Sequence, residues 1–251
     1  NNTAGFEGGG VFIQTNQSPL FENCLIADNG WNGVGSAISN KATLVNCTVT
    51  GNDGPWVWKW AGQSTIINTI IHGNFDSNVE SGIIQGSIES TESTVSYSNI
   101  EGGYPGEGNI DESPLFLGPS SGDYSLSNYS PLLGLGTLSG APVIDINGDT
   151  RPLPSGSNPD MGAFENNLSV PLDPPAPTNL VATAGNSSVS LTWEKNGFNG
   201  ESIIQRSEES GGEFETIGSA SGNVFTNNVS PFIPVNGTTY YYRIGFSNGF
   251  V

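Results

Sequence analysis

Three segments of the chain superimpose on one another. They are Phe21-Glu22-Asn23-Cys24-Leu25-Ile26-Ala27-Asp28-Asn29, Leu44-Val45-Asn46-Cys47-Thr48-Val49-Thr50-Gly51-Asn52 and Ile66-Ile67-Asn68-Thr69-Ile70-Ile71-His72-Gly73-Asn74. They recur about 22–23 residues apart, the length of one turn of a solenoid. A degenerate fourth copy runs through Val95-Ser96-Tyr97-Ser98-Asn99-Ile100. A helical repeat of this length needs long amphipathic stretches, and no stretch combines sustained 3.6-residue periodicity with capping signals. Parallel β-coils are the remaining solution. Cys24, Cys47 and Thr69 share one column, and Ile26, Val49 and Ile71 share another two residues on, so both are expected to point inward. Asn29, Asn52 and Asn74 form a third column at a turn. Stacked asparagines can hydrogen-bond from coil to coil, and asparagine tolerates the left-handed conformation expected there. Cys24 and Cys47 are expected to be free, buried thiols, because neighbouring in-register positions hold their Cβ vectors parallel.

Composition narrows the function classes. The 251 residues suit one or two domains, and 35 glycines favour short strands and tight turns. With 6 basic against 24 acidic residues the net charge is -18. Such a surface repels phosphate backbones and anionic lipid heads, so neither nucleic acid nor a membrane surface is an expected partner. No apolar run reaches the length of a membrane span, and no signal peptide is visible, so the chain reads as a mature or excised fragment. Two cysteines and one histidine, His72, make neither a disulfide framework nor a zinc site.

Gly8-Gly9-Gly10-Val11-Phe12-Ile13, followed by Asn23-Cys24 and Asn29, resembles the GG-x-I…N-C-T-F-x-x-N repeats of polymorphic outer-membrane proteins. A second series is similar to the terminal segment of pectate-lyase-like right-handed β-helices. It comprises Asn109 to Phe116, Gly122-Asp123-Tyr124-Ser125-Leu126, Ser130-Pro131, Asp145 to Pro152 and Asp160-Met161-Gly162-Ala163-Phe164-Glu165. Leu132-Leu133-Gly134 departs from the alanine, isoleucine and aspartate usual after the Ser-Pro. The resemblance implies a right-handed parallel β-helix over 1–165. A proline-rich spacer follows over 166–177, where proline removes backbone donors and fixes φ. Short apolar runs separated by turn residues then suggest a sandwich. Pro177-Thr178-Asn179-Leu180-Val181-Ala182, Trp193 and Asn236 to Ile244 resemble a fibronectin type III domain, with Trp193 as its core tryptophan and Tyr240 as its corner tyrosine. Residues 178–251 are expected to lack its last strand. The fold class is therefore all-β: a right-handed parallel β-helix followed by an incomplete fibronectin type III-like sandwich.

Enzymes on such a coil need an acid, a base and often calcium on adjacent turns. The coil region offers only Lys41, Lys59, His72 and Arg151 as nitrogenous groups. His72 is expected on the surface and Lys41 in a solvated turn. Arg151, among Asp145, Asp149, Asp160 and Glu165, reads as an ion pair closing the terminal coil. No catalytic constellation is legible. Asp145-x-Asn147-x-Asp149 has the spacing of the first calcium-loop ligands, but Thr150 stands where glycine is needed and Gly156 where an acid is needed, so it reads as a turn. Calcium is the one cofactor the acidic balance leaves open. In Trp56-Val57-Trp58-Lys59-Trp60, alternation puts three indoles on one face. Facing outward, with Trp31 nearby, they would form a platform for sugar rings; facing inward, they would overfill a narrow coil.

The first functional expectation is a non-catalytic, secreted or bacterial cell-surface module, monomeric, serving adhesion, carbohydrate contact with a polysaccharide or surface glycan, or a stalk. The alternatives are the ancillary tail of a polysaccharide lyase or hydrolase whose active turns lie upstream, and a purely structural spacer.

Overall fold

The computed structural model describes residues 3–4, 10–11, 13, 17–31, 36–39, 41–53, 56–59, 64–75 and 93–246. They fall into two compact units, Asn1–Pro171 and Leu172–Val251.

Unit 1 contains β1 (Thr3–Ala4), β2 (Leu20–Glu22), β3 (Leu25–Ala27), β4 (Gly30–Trp31), β5 (Ser36–Ser39), β6 (Thr43–Val45), β7 (Thr48–Thr50), β8 (Trp56–Lys59), β9 (Thr65–Ile67), β10 (Ile70–Ile71), β11 (Thr94–Ser96), β12 (Asn99–Ile100), β13 (Phe116–Gly118) and β14 (Asp123–Leu126). The repeat translates directly into register. One parallel sheet has the order β11-β9-β6-β2 and a second has β12-β10-β7-β3. Phe21, Leu44, Ile66 and Val95 stand in line across the first. Ile26, Val49, Ile71 and Ile100 do so across the second. These rows, with Cys47 and Ala42, make one buried cluster against which Phe21 and Cys24 pack. Two-residue periodicity thus sends one row of each strand into a shared core. The degenerate fourth copy is a full participant, supplying β11 and β12. Two shorter parallel pairs are β1 with β4 and β5 with β8.

The left-handed residues are not those expected. Positive φ falls on Asn23 (52°), Asn46 (48°), Asn68 (52°) and Tyr97 (49°), between the two strands of each coil, and on Asp28 (56°), Gly51 (65°) and Gly73 (72°). The latter three immediately precede Asn29, Asn52 and Asn74. The second turn therefore takes its left-handed conformation one residue earlier, which frees the asparagine side chain to turn inward.

After the fourth coil, Asn109 Oδ1 accepts the Ser98 N–H at 3.1 Å and Ile110 O accepts the Ile100 N–H at 2.9 Å, ending the stack. β13 and β14 form an antiparallel hairpin around a 3₁₀ turn at Pro119–Ser121. The following chain runs back over the outer face of the β12-β10-β7-β3 sheet. There Ile70, Leu126, Leu132, Leu133 and Met161 form a second core, joined by Ile110, Phe116 and Leu168. The departure at Leu132-Leu133-Gly134 now has its reason. Both leucines are buried in this core. Gly134 adopts φ +65°, with Ser169 O 2.2 Å from where a Cβ would lie.

Unit 2 contains β15 (Thr178–Gly185), β16 (Ser188–Glu194), β17 (Ser202–Ser207), β18 (Glu215–Ala220), β19 (Val224–Asn227) and β20 (Tyr241–Phe246). They form two antiparallel sheets, β15-β16-β19 and β18-β17-β20. Leu191, Trp193 and Ile204 are the buried core, packed by Val189, Ile217, Phe225, Tyr242, Ile244 and Phe246. Trp193 Nε1 donates to Ser202 Oγ at 3.2 Å, satisfying the one polar atom of a buried indole. Tyr240 Oη accepts the Val235 N–H at 3.1 Å, and the Arg206 guanidinium lies 4.5 Å over its ring. Residues 247–251 lie outside the described residues. The expected 166–177 spacer is held at both ends. Asn166 N donates to Asp160 Oδ2 at 2.7 Å in unit 1, and Ala176 O accepts from Asn196 Nδ2 at 2.8 Å in unit 2.

Candidate functional site

The asparagine column at the second turn is a continuous internal ladder. Asn29 Nδ2 donates to Asn52 Oδ1 at 2.9 Å, and Asn52 Nδ2 to Asn74 Oδ1 at 2.9 Å. The same oxygens accept the Asn29 and Asn52 N–H groups, each at 3.1 Å. Asn52 Nδ2 also reaches Ile26 O and Asn74 Nδ2 reaches Val49 O. All three asparagines are buried, so the column satisfies polar groups inside the coil and presents nothing to a ligand.

A second column, Asn23, Asn46 and Asn68, was visible in the repeat but carried no expectation. It is the docking rail for the returning chain. Asn68 Nδ2 donates to Thr137 O at 2.8 Å and Asn68 Oδ1 accepts the Thr137 N–H at 2.8 Å. Asn46 Nδ2 reaches Asp160 O at 3.1 Å and Gly162 O at 3.3 Å. Asn23 Nδ2 reaches Ile144 O at 2.7 Å. Left-handed backbone at the corner turns these side chains outward. Gly162, at φ +94°, fits because a Cβ there would lie 2.6 Å from Ile70 Cδ1.

Arg151 belongs to this rail and also reaches the first of the three aligned coils, donating from Nη1 to Asn23 Oδ1 at 2.9 Å. Its Nε meets Glu165 Oε2 at 2.9 Å in an ion pair with both side chains fully enclosed. Its Nη2 reaches Gly162 O at 3.1 Å. Glu165 also accepts the Leu153 and Asp160 N–H groups. Asp160 accepts the Gly134 N–H at 2.7 Å and the Asn166 N–H at 2.7 Å. Burial, reinforced by the neighbouring Glu165 charge, pushes the Asp160 carboxyl up to about 8, against those two N–H groups and Arg151. Burial also raises Glu165. Asp145 turns its carboxylate to backbone: Oδ1 accepts the Asn147 N–H at 2.8 Å and the Asp149 N–H at 2.9 Å, and Oδ2 the Glu165 N–H at 3.0 Å. The Asp145-x-Asn147-x-Asp149 pattern is an Asx turn. Among the described residues, no three His, Cys, Asp or Glu side chains are grouped to hold a metal ion.

This coil stack, with its corner asparagines and parallel register, has a counterpart among known families. Residues 1–109 match the family model of the right handed beta helix region. No curated protein and no solved structure matches the chain.

Within the β-helix region, Cys24 and Cys47 are free, Cys47 fully buried and Cys24 only partly so. The difference follows from position, since Cys24 belongs to the coil with the more exposed strand, β2. The aromatic candidates occupy the lateral pairs. Trp56 and Trp58 stand opposite Ser36 and Ile38 in β8 and β5, and Trp31 ends β4 opposite Ala4. Their side chains, and all of Trp60, lie outside the described residues.

Proposed function

We infer that the chain is a non-catalytic module of a secreted or bacterial cell-surface protein, whose β-helix is a rigid scaffold for adhesion, carbohydrate contact or display. The observation that carries this reading is where the acid and base groups go. Arg151, Glu165, Asp160 and Asp145 converge, yet their polar atoms are directed to one another, to Asn23 and to backbone, so the cluster builds fold rather than chemistry. The second unit is an appended fibronectin type III-like sandwich in this reading, with Trp193 in its core and Tyr240 at its corner.

The lateral surface divides in two. Outward positions Thr48, Ile70 and Asn99 are buried under the returning chain. Most outward positions on the other sheet keep solvent contact: Thr94 and Glu22 are exposed and Thr43 and Thr65 partly so, whereas Val45, in register with Glu22, is buried. Thr43, Thr65 and Thr94 stand in one row. A row of threonine hydroxyls suits neutral sugars, whose hydroxyls pair with small polar groups, and indoles presented outward would pack on their C–H faces. The acidic surface disfavours polyanions. Titration with neutral polysaccharides should shift intrinsic tryptophan fluorescence, and Trp58→Ala should abolish the shift. A glycan array with no binder and an unchanged emission spectrum would instead place the chain as a spacer.

A further inference from the structure

Cys24 and Cys47 are neighbours one coil step apart. Leu25 and Thr48 are in register, so the cysteines before them are cross-coil neighbours, and the Thr48 N–H donates to Cys24 O at 2.9 Å. Cys24 Sγ lies 3.2 Å from Glu22 O. Cys47 Sγ lies 3.4 Å from Val45 O of its own coil and 3.4 Å from Phe21 O of the preceding one. Phe21 and Glu22 are consecutive, so both sulfurs converge on the end of one strand.

We propose that Cys24 and Cys47 form a thiol–disulfide exchange site that reacts with low-molecular-weight disulfides and closes into a reversible cross-link between adjacent coils. Neighbouring parallel strands lie about 4.8 Å apart, inside the Cα range of about 4.4–6.8 Å that a disulfide spans. The parallel Cβ vectors make closure less than ideal, which keeps the bond reducible.

The two thiols have different roles. Cys24 is the accessible one. The neighbouring Cys47 thiol holds the Cys24 thiol down at about 6, while partial burial and the Glu22 charge act the other way. Cys47 is fully enclosed, and the neighbouring Cys24 together with burial pushes its thiol up. The Cys24 thiolate attacks one sulfur of RS–SR. A Cys24–SR bond forms, the RS–SR bond breaks, and RS⁻ leaves to take a proton from solvent. Cys47 then attacks Cys24 Sγ. The Cys24–SR bond breaks, and the second RS⁻ departs with the Cys47 proton. The small disulfide gains two electrons and becomes two thiols, and the two cysteines become one disulfide.

Incubation of the intact chain with oxidised glutathione, acid quenching and mass spectrometry test this. The wild type should lose two hydrogens, carry no adduct and yield a peptide pair joined through Cys24 and Cys47, reversibly with dithiothreitol. Cys47→Ser should accumulate one glutathione on Cys24, and Cys24→Ser should stay unmodified. The oxidised protein should also melt at a higher temperature than the reduced one. Cys47→Ala serves if the serine variant fails to fold. A persistent glutathione adduct on wild-type Cys24, an unreactive Cys24 in folded protein, or ready modification of Cys47 in Cys24→Ser would each overturn the proposal.

Discussion

The two asparagine columns of the coil stack look alike in sequence and do different work. Asn29, Asn52 and Asn74 turn inward and bond mainly to the same residue one coil away. Asn23, Asn46 and Asn68 turn outward and bond mainly to a chain more than sixty residues downstream, with one coil-to-coil bond from Asn68 Nδ2 to Asn46 Oδ1 at 3.1 Å. Backbone decides between them. The outward set is itself left-handed, whereas the inward set follows a left-handed residue. A repeated residue therefore reports a repeated geometry, and its partner is either another repeat or something laid across all of them.

Removing the ion pair that anchors the rail should have the largest effect. Arg151→Ala leaves Glu165 buried without its cation, a loss of about 3–5 kcal/mol, and should lower the melting temperature sharply. Glu165→Gln in the same background should recover part of it. An unchanged melting temperature for Arg151→Ala would mean that the rail carries no stability.

Next comes the inner ladder. Asn52→Ala removes the donor to Ile26 O and Asn74 Oδ1 and the acceptor for Asn29, at about 1–3 kcal/mol for each buried group left orphaned. Unfolding should stay cooperative for unit 1, since the core row Ile26–Val49–Ile71 runs alongside. The outer column should respond differently. Asn46→Ala costs about 1 kcal/mol and should act locally. Hydrogen exchange should speed up at Gly162 and Ala163, whose N–H groups bond Asn68 O and Thr48 Oγ1, while Thr48 and Ile70 amides between coils stay protected. Equal acceleration in both places would erase the distinction between ladder and rail.

This contrast also separates what was legible in the sequence from what was not. The inward rows and the parallel register followed from period and alternation, because identical partners sit one coil apart. The fourth copy was readable despite its longer offset, since Val95 and Ile100 keep the two inward positions. The returning chain was not readable as a lid, because its partners do not repeat: Arg151 and Asn23 are 128 positions apart. The clue present was the unexplained Asn23-Asn46-Asn68 column. The left-handed residue at the second turn was misplaced by one, because Asp28, Gly51 and Gly73 share no side chain and only their backbone is alike.

The rail should also carry a pH dependence. Asp160 is held neutral by burial beside Glu165, but the Gly134 and Asn166 N–H groups and the Arg151 charge oppose that, so the net shift is the remainder of large opposing influences. A carboxyl raised in the folded state, to about 8, keeps its proton where the unfolded chain has already released it. Stability from this group is therefore full below the ordinary carboxylate range and is lost as pH rises toward about 8. Glu165, raised in the same direction, adds to the slope. Above about pH 5.5 exposed carboxylates, with ordinary values near 4, have finished titrating, so in a Cys24→Ser background, which removes the lowered thiol, a decline beyond that point reports the buried pair. The midpoint of urea unfolding should fall between about pH 5.5 and 8.5, and Asp160→Asn should flatten the slope whatever it does to absolute stability. A Cys24→Ser midpoint that rises over this interval would mean that the two N–H groups and Arg151 outweigh burial, and that the rail is held by a carboxylate rather than by an acid.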